Sequence, residues 1–522
     1  MPHERGLNIW KIRFMYTELN RKYKNKIINK RNLLKKIGSF PRKKKVVMCH
    51  GVFDVVHPGH IRHLAFAKSK GDILVASLTS DKFVTKGRYR PHIPENLRAF
   101  SLSAFDMVDY VIIDDKQKPL DTIKYLKPDF FAKGFEYSDD LPKETKEEIQ
   151  TLDSYGGGIL FSPGDIVYSS SALLTEYLPK LNNEKLLHLL DQDKSDLDEI
   201  INHIQKFKNF KVHVIGDTIV DTYTRTQLIG GNTKTPTFSV LYGSHEDYVG
   251  GAGIVAKHLV SAGAQVTFTS VVGDDKLGKF VEEDMQNQNL DLNLIIDENR
   301  PTTNKNAIIA DDYRLLKIDK LDNAPYNTKI YEKIKDKINS TNCDAIIFSD
   351  FRHGMFTKSS IATLSSKLPK NVLKVADSQV ASRWGNITEF RGFDLITPNE
   401  REARFSLADQ DSNIAKLAFD LREVTNCSNV IMKLGKRGAF FVNGNTYNSV
   451  DSFATDIKDA VGAGDALLAY STLMLLSSKS LIQSTILGSI AAALECEYDG
   501  NIPVISKVVT ERIYKIKSSI NS

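Results

Sequence analysis

The stretch Ala460-Val461-Gly462-Ala463-Gly464-Asp465-Ala466 sets an acid between two glycines and an apolar run. Leu467 to Leu476 contains no Pro or Gly, and its apolar content predicts a buried helix. The glycines therefore stand where a helix begins. Backbone N–H groups there have no intrahelical partner, and the helix dipole favours negative charge. Gly462 and Gly464 lack the Cβ atoms that would hold an anion off. An aspartate among such donors suits a general base taking the proton of an attacking hydroxyl. The plain alternative is a helix start whose first-turn acid complements the dipole. A second chemical centre is His57-Pro58-Gly59-His60. Two imidazoles three residues apart at a helix start can face one ligand. They can donate to phosphate oxygens and stabilise charge developing on phosphorus. Gly59 would let a nucleotide approach closely. A metal reading is weaker, because no third ligand is evident.

These centres need scaffolds. Residues 46–55 read as a buried strand running into a turn, and Ile61 to Lys70 as a helix. Ile73 to Leu78 and Tyr110 to Ile113 are further strands. The alternation predicts a parallel sheet with crossover helices. Residues 181–210 carry an apolar stripe in a polar background, which predicts a docked helical linker. A second α/β pattern starts with the strand Lys211 to Gly216 and includes Asp344 to Asp350. The Thr-rich segment 222–248 could form a small β lid. The domains expected are an extension at 1–37, one domain at 38–180, the linker at 181–210 and a second domain at 211–520.

The chain has 522 residues, enough for two to four domains by the usual ~100–200 residues each. No apolar run approaches the ~20 residues that span a bilayer. Four scattered cysteines, Cys49, Cys343, Cys427 and Cys496, show no metal-ligand spacing and suit reduced thiols in a cytoplasmic compartment. The net charge of +6 hides an asymmetry. Residues 1–45 carry fifteen Lys/Arg against two acids, while the remainder has 55 basic and 62 acidic residues. Such a leader could bind an anionic surface or nucleic acid. Trp10, Ile12, Phe14, Met15 and Tyr16 interleave with its charges, which favours a helical extension packing on a neighbour. No membrane partner is expected, and a nucleic-acid partner is disfavoured.

The string Gly51-Val52-Phe53-Asp54-Val55-Val56-His57-Pro58-Gly59-His60 resembles the cytidylyltransferase-like nucleotidyltransferases. Asp459 to Asp465, with Val249-Gly250-Gly251-Ala252-Gly253-Ile254-Val255-Ala256, resembles the two signatures of the ribokinase-like (PfkB) sugar kinases. The pair together resembles the bifunctional ADP-heptose synthases, with the usual kinase-first order reversed. The resemblance implies an α/β protein: a doubly wound nucleotidyltransferase sheet, then a ribokinase-like domain with a β lid. It implies ATP-dependent phosphorylation of a heptose 7-phosphate at C1, then adenylyl transfer to the sugar 1-phosphate. CTP is the alternative nucleotide, Mg²⁺ the metal, and a homodimer through the lid the assembly. Rival readings are a cytidylyltransferase fused to another sugar or polyol kinase, or a scaffold with one inactive half.

The family roles fall on named positions. His57, His60 and Asp465 are the catalytic candidates. Phe53, Asp54, Gly59, Lys133 and Ser169-Ser170-Ser171 would bind nucleotide in the first domain. Asn399, Glu402, Lys433, Gly435, Gly438, Gly462 and Gly464 would do so in the second, with Asn399 and Glu402 directed at the metal. Asp217, Asp221, Gly250, Gly251, Lys305 and Asp350 would meet the sugar phosphate. Two departures matter. Pro163 to Tyr168 lacks the arginine that glycerol-3-phosphate cytidylyltransferases carry there. Ile254 stands where the kinases often have Asn, and an apolar side chain cannot replace that hydrogen bond.

Overall fold

The computed structural model describes residues 23–85, 87, 90–116, 118–134, 142–162, 182–230, 238–310, 313–369, 371–379, 387–455, 457–498 and 500–521. The chain divides into two compact units, Met1–Lys180 with Asp411–Lys416, and Leu181–Gln410 with Leu417–Ile520.

The first unit is a five-stranded parallel sheet of β1 (Val46–Gly51), β2 (Ile73–Thr79), β3 (Tyr110–Asp114), β4 (Phe130–Lys133) and β5 (Gly158–Phe161). Its order is β3-β2-β1-β4-β5. Met48 lies opposite Val75 on one side and Phe131 on the other. Strand alternation sends side chains to two cores. Val47, Cys49, Leu74, Ala76 and Val111 pack one face with Leu64 and Leu102. Met48, Val75, Ile112 and Phe131 pack the other with Ile123, Leu126 and Leu152. The doubly wound expectation is met. The chain order reverses between β1 and β4, and in such sheets ligands bind outside the carboxyl ends of the strands at that point.

Leu33 and Ile37 of the helix Lys30–Ile37 belong to the second of these cores. Ile28 N–H donates to Val111 O at 2.9 Å, and Val111 N–H to Lys26 O at 2.8 Å. The packed unit thus takes in the last residues of the expected leader. Residues 1–22 lie outside the described residues.

The second unit holds a nine-stranded sheet with order β10-β9-β6-β13-β14-β15-β16-β17-β18. These strands are β6 (Lys211–Gly216), β9 (Gln265–Gly273), β10 (Asp291–Asp297), β13 (Ala345–Asp350), β14 (Leu373–Ser378), β15 (Leu395–Ile396), β16 (Asn429–Lys433), β17 (Ala439–Asn443) and β18 (Thr446–Val450). The pairings run parallel up to β16, and β17 and β18 return antiparallel. A separate four-stranded sheet, order β12-β11-β7-β8, comprises β7 (Thr218–Gly230), β8 (Ser239–Gly251), β11 (Asn304–Ala310) and β12 (Tyr313–Lys320). Its two outer strands expose Leu241, Tyr242, Tyr313, Leu316 and Ile318. The described parts of the segment read as a lid lie in β7 and β8, and β11 and β12 from later in the chain join them in one sheet.

Helices Asn182–Asp193 and Leu197–Ile204 bury Leu186, Leu189, Ile200 and Ile204 in the same core as Leu467, Leu468 and Leu473. These helices cover the stretch expected as a linker and belong to the second compact unit. Their apolar stripe packs as the hydrophobic effect requires of an amphipathic helix. Among the described residues, no helix is long and apolar enough to cross a membrane.

Candidate active sites

In the first unit, β1 ends at Gly51 and the helix Pro58–Ser69 starts seven residues later. His57 precedes that helix with extended backbone, and Pro58 occupies its first turn, where no N–H is needed. The Gly59 N–H donates to His57 Nδ1 at 3.1 Å. The His57 N–H donates to His60 Nδ1 at 3.4 Å. Each imidazole thus uses Nδ1 as an acceptor, so a neutral ring carries its proton on Nε2. Burial, with Arg62 nearby, holds His57 below the ordinary imidazole value, which favours that neutral form. The rings stand 3.9 Å apart between centroids. A Cβ on Gly59 would stand 2.9 Å from His57 Cε1. Gly59 therefore lets the His57 ring fold back over the first turn.

Phe53 and Asp54 prepare this turn. Phe53 is buried in the left-handed region at φ 48°, with its ring 5.3 Å from His60. Asp54 Oδ1 accepts from the N–H groups of His92 and Ile93 at 2.8 and 3.0 Å, while Oδ2 is buried without a partner. Both residues position the loop. Lys133 ends β4, beside β1 at the point of reversal. Its ammonium contacts Glu148 Oε2 at 2.6 Å and Thr145 Oγ1 at 2.9 Å. The residue expected to face phosphate thus has a carboxylate within ion-pair distance. Arg98 is fully buried and donates to the carbonyls of Val52, Thr79 and Ile93 and to Asp81. That clamp joins the ends of β1 and β2, and no local spacing announces it. Ser169, Ser170 and Ser171 lie outside the described residues.

In the second unit, Gly462 has φ +83° and caps the helix Ala463–Ser478. Only glycine takes that conformation without strain. The N–H groups of Asp465 and Ala466 both donate to Gly462 O at 2.9 Å, which closes the turn. Asp465 is 6% exposed, and its Oδ1 is buried with no partner. Burial pushes its carboxyl up to about 8, with the charges of Asp377, Asp221 and Glu402 adding to the shift and Lys433 opposing it. A desolvated carboxylate with a free oxygen is a strong proton acceptor.

Lys433, at the end of β16, lies across the turn. Its Nζ is 3.0 and 2.9 Å from the two oxygens of Asp377. A Cβ on Gly464 would come within 3.2 Å of the same Nζ. Burial alone would lower the Lys433 ammonium, but Asp377, Glu402 and Asp465 outweigh it and raise it. Asp377 was not singled out in the sequence. It is the next-to-last residue of β14, opposite Ser349 and one place from Asp350 at the end of β13, so a search for acids near strand ends could have found it.

Asp221 Oδ2 accepts from Asn501 Nδ2 at 2.7 Å, and a Cβ on Gly250 would strike both groups. Gly251 takes φ +61° beneath the carbonyl of Asp217. Gly250 thus makes room for the Asp221 carboxylate, and Gly251 for the Asp217 carbonyl and Ile219. Asp217 Oδ2 accepts from the N–H groups of Phe351 and His353 at 3.0 and 3.2 Å, leaving Oδ1 buried without a partner. Asp350 is committed to its own loop: it accepts from Arg352 N–H and Ser378 Oγ, both at 2.8 Å, and pairs with the Arg352 guanidinium. Burial lowers the Lys305 ammonium, and Asp221 opposes that shift. Asp465, Asp221, Lys305, Lys433 and Asp377 are thus electrostatic neighbours, and Asp350 is linked to Lys305 through Asp217. Glu495, buried with His258 Nε2 4.0 Å from its Oε2 and pushed up to about 9 by burial, also feels Asp465, and no sequence signal marked it.

Asn399 and Glu402 form a reciprocal capping box on the helix Glu400–Leu407. Asn399 N–H and Nδ2 donate to Glu402 at 2.7 and 2.6 Å, and Glu402 N–H donates to Asn399 Oδ1 at 2.8 Å. Gly435 and Gly438, at φ +59° and +84°, turn the chain between β16 and β17. Among the described residues, no group of three or more His, Cys, Asp or Glu side chains could hold a metal ion. A magnesium ion carried mainly on nucleotide phosphates needs only one or two protein carboxylates. The buried Glu402, whose charge is felt by Lys433 and Asp465, is a carboxylate that fits that lesser demand.

Two family models match the chain. The family model "pfkB family carbohydrate kinase" matches residues 209–507, and "Cytidylyltransferase-like" matches residues 48–175. The nucleotidyltransferase-like segment therefore precedes the kinase. The bifunctional protein HldE of Helicobacter acinonychis (strain Sheeba) is 30% identical over 295 residues, 54% of this chain and 62% of that protein. The HldE protein of Rhodopseudomonas palustris (strain TIE-1) is 26% identical over 322 residues, 59% and 64% of the two chains. The chain thus matches just over three-fifths of the length of these curated relatives. Phosphofructokinase-2 from Escherichia coli, solved with substrates and products, superposes with a TM-score of 0.51 at 16% identity, covering 59% of this chain and 99% of that one. At that identity the likeness shows the fold.

Proposed function

The chain belongs to the pfkB family of carbohydrate kinases, and from that membership we propose a bifunctional sugar-nucleotide enzyme whose second unit phosphorylates a heptose 7-phosphate at C1 with ATP. The observation that carries this reading is Asp465: a buried carboxylate with one unpartnered oxygen, beside the glycine-lined start of a helix. The C1 hydroxyl would lose its proton to Asp465 as its oxygen bonds to the γ-phosphorus and ADP leaves. Helix N–H groups and the Lys433 charge lower the energy of the transferring phosphoryl group, since phosphoryl transfer rests on positioning and charge neutralisation. Asp217 and Asp221 would take sugar hydroxyls, and Lys305 the 7-phosphate. Mg²⁺ would neutralise nucleotide phosphate charge, with Glu402 as its protein carboxylate.

The first unit would then join the heptose 1-phosphate, freed of its 7-phosphate by another enzyme, to a nucleotide. The 1-phosphate oxygen attacks the α-phosphorus of the triphosphate and pyrophosphate leaves. The Nε2–H groups of His57 and His60 would donate to phosphate oxygens as charge builds there. ATP is the nucleotide of choice and CTP the alternative. We place the enzyme in the cytoplasm as a homodimer through the four-stranded sheet, whose exposed Tyr242, Tyr313 and Leu316 suit a partner surface. The test supplies the full chain with ATP or CTP and a panel of phosphorylated sugars, reading sugar bisphosphate and pyrophosphate separately. Turnover confined to a non-heptose sugar, or to CTP, would replace the corresponding half of the reading. Binding of both substrates without turnover would favour an inactive kinase half, the rival that Ile254 raises.

A further inference from the structure

Asp459 joins two parts of the second unit that the chain keeps far apart. Its Oδ1 accepts from the Val461 N–H at 3.2 Å, setting the entry to the Gly462 turn. Its Oδ2 accepts from the Tyr223 hydroxyl at 2.9 Å and from Arg314 Nη2 at 2.6 Å. Tyr223 lies on β7 and Arg314 on β12, both in the four-stranded sheet. The guanidinium also lies 5.4 Å from the centroid of the Tyr223 ring, so the three groups form one closed cluster. Asp459 and Tyr223 are buried, while the Arg314 side chain is 48% exposed.

An exposed ion pair is worth little by itself. Here, however, the carboxylate is buried, and losing its partners would leave an uncompensated charge at the start of the glycine turn. Any displacement of β7 or β12 therefore acts on the turn through this one side chain. We infer that Arg314 and Tyr223 are positioning residues of the kinase, holding Asp459 and through it the Val461–Gly462 turn in the shape that receives the phosphoryl group. Neither need touch substrate. Both act through the carboxylate, so their effects should not add.

This inference rests on the kinase reading for its catalytic consequence, but its structural half can be tested without turnover. Hydrogen–deuterium exchange of the amides of 459–466 is measured in the full chain and in Arg314→Met, Tyr223→Phe and Asp459→Asn. Exchange in the turn should quicken about tenfold in Arg314→Met and Asp459→Asn, the mark of a local opening. Protection of the β1–β5 sheet should stay unchanged. Kinase kcat should fall about tenfold in Arg314→Met, within the range for a modest misplacement of reacting groups, with KM for ATP nearly constant. The Arg314→Met/Tyr223→Phe double variant should be no slower than Asp459→Asn. Arg314→Lys keeps the charge and should recover part of kcat. The inference is overturned if the turn amides stay protected in Arg314→Met. It is equally overturned if exchange quickens through the whole unit, since the cluster would then be a general brace. Absence of kinase turnover in the wild-type chain would sink the kinase reading and leave the exchange result to judge the latch.

Discussion

The two candidate centres are built in opposite ways. His57 and His60 sit three residues apart, satisfy one another's local backbone, and are fixed within a single helical turn. Asp465 gathers its surroundings from Asp221, Asp377, Glu402 and Lys433, spread over more than two hundred residues. The first centre has both ring Nδ1 acceptors filled by backbone N–H groups, which leaves the proton of each neutral ring on Nε2. The second keeps a buried carboxylate oxygen unfilled. A donor pair suits charge that appears on a phosphate. An unfilled acceptor suits a proton that must leave a hydroxyl.

Breaking the second centre should have the larger effect. Asp465→Asn keeps the shape but removes the base, so kinase turnover should fall by ~10²–10⁴ while nucleotidyl transfer survives. Turnover above a tenth of wild type at saturating substrate would reduce Asp465 to a helix-cap residue. In the first centre, His57→Ala or His60→Ala should lower nucleotidyl transfer by ~10²–10³ and leave the kinase alone. If each variant transfers at near wild-type rate, the pair is only a capping box.

A pH profile sharpens the contrast. With the carboxyl of Asp465 at about 8 in the free protein, kinase kcat/KM should rise about tenfold per unit below that value and level above it. A flat profile from 6 to 9 would show that Asp465 is not the base. The stability sign is opposite. A carboxyl raised on folding favours the native state below its unfolded value, and that contribution is lost as pH rises through about 8. Asp465→Asn should therefore raise the thermal midpoint most at alkaline pH, and an unchanged difference between pH 6 and 9 would count against the burial argument.

The smallest effects belong to the leader. Removing residues 1–22 should leave both activities within a few-fold. Extending the deletion through 37 takes out Leu33, which is fully buried, and losing one such side chain typically costs about 2–5 kcal/mol. Loss of nucleotidyl transfer should then accompany loss of the first unit's cooperative melt. If the longer deletion melts like the full chain, the helix Lys30–Ile37 is dispensable.

Much of this was legible in the residues. The apolar runs of β1, β2 and β13 with their intervening helices dictate parallel sheets, because strands buried on both faces must be covered by crossovers. His57-Pro58-Gly59-His60 and Gly462-Ala463-Gly464-Asp465 mark helix starts through chemistry that acts within one turn. Local sequence also specifies the Asn399–Glu402 box, since both partners lie in the same turn. Some of the residues expected at a ligand also have partners in the frame that their spacing does not announce. Asp350 is held by Arg352 and Ser378, and Gly250 yields space to Asp221 and Asn501.

The tertiary structure alone decided which distant groups share a charge environment. Nothing near Lys433 in the chain indicates that Asp377 neutralises it, and nothing near Asp459 points to Tyr223 and Arg314. The pull of one ionised group on another depends on separation in space and on the water removed between them. Sequence spacing fixes the first only within a turn of helix or along one strand. The second exists only once the sheets have packed, and it is burial that pushes the Asp465 carboxyl towards the range where a base is useful.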